Sequence, residues 1–178
     1  VIFDQYYAKY RTKRFDFITI IHTIEHVTDP QTMISKAIKL LNFGGILFIE
    51  TPNLDSHLFY AEKLRYTFLT PPDHIWLFSL KSFKNMFKRL RGVKLEKIST
   101  YSYPEHFMGI IKSKLLITNY KLQINVKLKN PNEKTNSQNK KRKFIKYLLF
   151  DRLLAPLFTP LLNIGIKGSI LELYISKI

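Results

Sequence analysis

Three residues with reactive side chains fall together at His22, Glu25 and His26. They follow directly on an apolar run, FDFITII, from Phe15 to Ile21. Imidazole titrates near neutrality, so it suits proton transfer, and a neighbouring carboxylate can orient it. The same donors also suit a metal ion. However, Glu25 and His26 are adjacent on a loop and lack the i, i+4 spacing that aligns two ligands on a zinc helix, so no metal is expected. The cluster is thus either a site or a polar loop beside one. Another histidine, His74, follows a Pro71-Pro72 pair within an aromatic stretch.

These residues need elements to hold them. FDFITII is apolar on both faces, which is the pattern of a buried parallel strand. Asp29-Pro30 then starts a helix: the carboxylate caps free N–H groups, and proline fits the first helical position. Met33, Ile34, Ala37, Ile38 and Leu41 give that helix one apolar face. Gly44-Gly45 turns the chain into a second strand, ILFIET, which Pro52 stops. Strand, helix and strand make a right-handed parallel crossover if both strands share a sheet. In such sheets ligands sit outside the carboxyl ends of the strands, where His22, Glu25 and His26 lie.

Elsewhere, Val1–Asp4 reads as a short strand and Gln5–Arg14 as a connection or short helix. Ser79 caps a helix with Leu80, Phe83, Met86, Phe87 and Leu90 on one face. Val93–Tyr103 reads as a strand. Residues 127–143 are basic and Asn-rich, an exposed flexible loop. Residues 144–166 are apolar with two prolines, and SILELYISKI has strand composition. One domain is expected, with residues 1–126 as its main part and 144–178 as a helical cap plus final strand.

The totals narrow the class. The 178 residues carry 29 Lys and Arg against 13 Asp and Glu, a net charge of +16. An excess of this kind favours anionic partners. No nucleic-acid module is recognisable, so the charge reads as solvated surface and nucleic acid is not the expected partner. With 46% hydrophobic residues the chain can build a core, and with no cysteine it forms neither disulfides nor thiolate metal sites. A cytoplasmic setting is the expectation. Peripheral membrane contact is a secondary reading of residues 127–166, beside a packed cap or homodimer surface.

The run FDFITIIHTIEHVTDP…LLNFGGILFIETPN resembles the class I S-adenosylmethionine-dependent methyltransferases. It is similar to the fourth strand, the following helix and the fifth strand of that fold. DHIWLFSLKSFKNMF resembles a downstream segment of the same family, and SILELYISKI its last strand. The resemblance implies an α/β, Rossmann-like sheet, mostly parallel with an antiparallel last strand. It implies S-adenosylmethionine as cofactor and a small-molecule acceptor methylated on oxygen, nitrogen or carbon. It implies that Asp4 ends the third strand and accepts from the adenine amino group. Ile21, His22 and Glu25 would lie on the cofactor-binding side, Ile21 and His22 through backbone and packing, and Glu25 would either orient His26 or face water. His26 and His74 become the candidate catalytic bases, and Phe59, Tyr60, Tyr66 and Trp76 candidate pocket walls. The family's Gly-rich loop and ribose-binding acid are not among these residues. The sheet is therefore expected to be incomplete at its N-terminal side, with an exposed edge beside the fifth strand. A truncated, non-catalytic relative acting as an interaction module is the alternative.

Overall fold

The computed structural model describes residues 2–127 and 155–178. Its centre is the predicted crossover. β1 (Phe15–Ile21) leads through a 3-10 turn (Ile24–His26) to α2 (Pro30–Leu40) and β2 (Leu41–Pro52). The Asp29 carboxylate accepts from the Thr32 N–H at 3.0 Å, which caps α2 as expected and holds the Asp29 carboxyl below the usual range. Gly44 takes φ +79° at the turn inside β2, a conformation that favours glycine.

Two elements complete the sheet. β3 (Val93–Tyr101) follows α4 (Leu80–Lys88), and β4 (Ile170–Lys177) ends the chain. The strand order is β1-β2-β4-β3. β1 pairs parallel with β2, while β4 runs antiparallel to both β2 and β3. Three strands thus share one direction and only the last is reversed. This is the expected Rossmann-like sheet with an antiparallel last strand. β4 slots between two strands far upstream of it in the sequence.

One face of this sheet packs on α2 and α4. Ile20, Leu47, Ile49, Leu171, Leu173 and Ile175 from the strands meet Met33, Ile34, Ala37, Phe83 and Phe87 from the helices. A capping box, Ser79 with Ser82, starts α4 and turns Phe83 and Phe87 into this core. A second, smaller cluster lies under α3 (His57–Glu62) and α5 (Pro104–Lys127), where Leu58, Tyr66, Ile110 and Leu162 pack together. A helical turn at Ala155–Phe158, within the segment expected to form a cap, packs on α5. That segment exposes Leu157, Leu161 and Ile164.

Three expectations change. Val1–Asp4 does not form a strand: Ile2–Tyr10 is a helix, α1, so Asp4 stands within a helix and ends no strand. Three apolar residues are too short a run to tell strand from helix, and α1 gains its support by packing on α2. Second, β1 is not buried on both faces. It is an edge strand in which only Ile20 is buried, with Phe17 55% and Ile21 48% exposed. The exposed edge implied by the family resemblance is therefore present. Third, α5 is a helix of 24 residues that the sequence reading did not anticipate. Of the expected basic loop 127–143 only Lys127 is described, as the last residue of α5; residues 128–154 lie outside the described residues, and no described helix is long and apolar enough to cross a membrane.

Candidate active site at the carboxyl ends of the strands

The ends of β1 and β2 lie level, with Ile21 paired to Glu50. The next residue, His22, continues the pairing by donating its N–H to the Glu50 carbonyl at 3.0 Å. There the chain leaves the sheet with φ +42° at His22, a left-handed turn that directs residues 23–26 back across the strand ends. The His22 ring spans two carboxylates. Its Nδ1 lies 3.2 Å from Glu25 Oε1, and its Nε2 lies 3.2 Å from Glu50 Oε1.

Glu25 is the floor of the site. It is wholly buried, and its second oxygen accepts from Thr51 Oγ1 at 2.9 Å. A buried carboxylate without partners would be costly, and both oxygens here are engaged. The Glu25 carbonyl accepts from the N–H groups of both Ile75 (2.9 Å) and Trp76 (3.1 Å). The Trp76 indole N–H donates to the Val27 carbonyl at 2.8 Å. These bonds fasten the segment after Pro72 onto the turn after β1.

His74 arrives on that segment. Its ring lies 4.7 Å from the His26 ring, centroid to centroid, at 69°. Each imidazole is fixed through Nδ1: His26 to the Asp73 carbonyl at 2.7 Å, and His74 to the Phe68 carbonyl at 2.6 Å. A carbonyl oxygen can only accept, so Nδ1 carries the proton in both rings. In the neutral imidazole Nε2 then keeps its lone pair as a proton acceptor or ligand. The Phe68 ring stacks on His74 at 15°.

The structure therefore brings together Ile21, His22, Glu25, His26 and His74. It does not bring Asp4 to them through a strand end. Of the aromatic candidates, Trp76 braces the loop with its indole. Tyr66 is buried, its hydroxyl donating to the Asn53 carbonyl at 3.1 Å, and burial raises its phenol above the ordinary range. Tyr60 lines a separate cavity of about 400 Å³ with His57, Phe107, Ile110 and Leu162, none of them in the histidine cluster. The sequence reading missed Glu50, Thr51 and Tyr101. Tyr101 lies beside Glu50, and its phenol is raised by burial, by the Tyr103 hydroxyl 3.1 Å away and by the Glu50 charge. The signal for Glu50 was available: it is a carboxylate at the end of a buried parallel strand, in register with Ile21.

The family model for "Methyltransferase domain" matches residues 1–96. A ubiquinone biosynthesis O-methyltransferase from Coxiella burnetii is 40% identical over 58 residues, 32% of this chain and 25% of that protein. Its counterpart from Vibrio atlanticus is 38% identical over 63 residues, 33% of this chain and 27% of that protein. The matches thus span about a quarter of the length of these curated relatives. Among solved structures, a SAM-dependent methyltransferase from Archaeoglobus fulgidus is similar over 99% of this chain and 65% of its own, at 18% identity and a TM-score of 0.46. With more than half of its length matched by the family model, the chain belongs to the methyltransferase-domain family.

Proposed function

We propose that this chain forms the acceptor side of an S-adenosylmethionine-dependent methyltransferase acting on a hydroxyl group of a small molecule. The observation that carries this reading is the His26–His74 pair. Two imidazoles, each anchored through Nδ1, present free Nε2 atoms at the carboxyl end of β1. A hydroxyl must lose its proton to become a strong nucleophile, and a positioned imidazole takes it. The identity shared with O-methyltransferases favours oxygen over nitrogen or carbon.

The residues present fit the part of a cofactor site that belongs to the fourth strand. Ile21 is exposed at the strand end, and the polar groups of His22 and Glu25 lie beside it. When bound, the sulfonium supplies a methyl group activated for in-line displacement. The work of this chain is to hold the acceptor oxygen in line and to receive its proton at Nε2 of His26 or His74. The O–C bond forms as the C–S bond breaks, and the donor leaves as the neutral thioether. Glu25 orients this set, since its carbonyl fixes residues 75 and 76 and its carboxylate fixes His22.

Calorimetric titration with S-adenosylmethionine, on this chain and on an N-terminally extended form, tests the reading. Saturable one-site binding in the extended form supports it. Absence of heat in both forms overturns it. A second reading, an interaction module without catalysis, is favoured by the apolar edge of β1, where Phe15, Phe17 and Ile21 are exposed.

A further inference from the structure

We infer that Glu25, His26 and His74 form a binding site for one divalent transition-metal ion of the zinc type. One ligand atom from each of these residues can be chosen so that all lie within 4.8 Å of one another. A tetrahedral ion with bonds near 2.1 Å holds its donors about 3.4 Å apart, so the three need to close by about 1.4 Å. That closing would have to come from small rotations of the exposed His26 ring and of the half-buried His74 ring about their Nδ1 anchors.

The surroundings also suit a metal centre. Histidine ligands commonly donate their other N–H to a carbonyl or carboxylate, which fixes the tautomer and ring direction. Both imidazoles here already do so, at 2.7 Å and 2.6 Å. The Glu25 carboxylate is oriented by Thr51 and His22 and keeps lone pairs for a further bond. It is wholly buried, whereas His26 is open to solvent. Two nitrogens and one oxygen select zinc, cobalt or nickel over calcium or magnesium, which prefer oxygen. Spacing along the chain hid the site. The third donor lies far downstream, and the backbone bonds from Ile75 and Trp76 to Glu25 bring it in.

Three protein donors leave a fourth position open. This extension rests on the methyl-transfer reading; the ion site itself does not. The fourth position would take the acceptor oxygen. The ion would favour its deprotonated form, releasing the proton to solvent, and the two histidines would act as ligands in place of bases.

The test is a titration of chelator-treated protein with Zn²⁺ against a competing chromophoric chelator, without S-adenosylmethionine or acceptor. One ion per chain is expected. His26→Ala, His74→Ala and Glu25→Gln should each weaken binding at least about tenfold, while His57→Ala binds as wild type. Circular dichroism melts confirm that each variant is folded. Co²⁺ provides a second readout: intense ligand-field bands in the wild type, lost in His74→Ala. Wild-type affinity no tighter than that of the His26→Ala/His74→Ala double variant overturns the site. So does an equal loss in His57→Ala. Zinc binding without S-adenosylmethionine binding in either this chain or the extended form would keep this site and remove the methyl-transfer reading; the reverse pattern would do the opposite.

Discussion

At the residue scale the proposed function rests on two rings held by two carbonyls. His26 and His74 depend on the Asp73 and Phe68 carbonyls for their direction, so their Nε2 atoms are placed by backbone. Truncating either ring should lower turnover about 10²-fold or more while cofactor affinity stays unchanged. Steady-state rates and calorimetry on the same preparations check this, and full activity in both variants would refute the assignment. A different histidine bears on how stability depends on pH. His106 is buried, and its Nδ1 accepts from the Tyr103 N–H at 3.3 Å, which requires an unprotonated nitrogen. Burial holds its pKa below the ordinary value, with Glu105 and Glu62 opposing. The unfolded chain then binds the proton more readily. The contribution of His106 is therefore complete above its ordinary pKa and is lost as pH falls through the window beneath it. Melting temperature should drop from pH 7.5 to pH 5.5, and the drop should be smaller in His106→Gln; an equal drop would exclude His106 as its source. Among these residues the sequence exposed candidates but not their neighbours. Glu25, His26 and His74 were all legible, yet their meeting was not, because it depends on a loop folding back along hydrogen bonds with no local signature.

At the scale of elements, legibility followed local chemistry. The starts of α2 and α4 were readable because Asp29-Pro30 and Ser79 are capping residues with few alternative uses. Replacing Ser79 by Ala removes a reciprocal pair with Ser82 and should cost about 1 kcal/mol in chemical denaturation. No change in the midpoint would show that the box adds nothing. Elements without such marks were misread. α1 looked like a strand because three apolar residues carry no period, and the sequence of α5 lacks a clean polar–apolar division. β1 looked buried because its residues are apolar, but burial depends on neighbours that the strand itself does not encode. The entry to β4 is tighter. A Cβ on Gly168 would lie 2.8 Å from the backbone N and O of Tyr101 and from Thr100 Cβ. Backbone cannot yield cheaply, so Gly168→Ala should destabilise by about 2 kcal/mol or more, separating β4 from β3 at their junction. A wild-type denaturation midpoint in that variant would contradict this packing.

For the whole molecule, the sheet is asymmetric. β2 and β4 are central, flanked on both sides, while β1 presents its outer edge. Amide hydrogen exchange should therefore be slowest in residues 41–52 and 170–177 and faster in β1. Protection of β1 equal to that of β2 would mean that the edge is covered in solution. The central claim concerns what happens above these strand ends. It is tested most directly by transfer of a labelled methyl group from S-adenosylmethionine to a panel of hydroxylated sugars, catechols and hydroxyquinones. The assay should use the N-terminally extended protein and its His74→Ala variant. The account predicts label on an acceptor oxygen with the wild type, falling about 10²-fold or more in the variant. Absence of label on every acceptor, despite saturating S-adenosylmethionine, or undiminished transfer by His74→Ala, would contradict it.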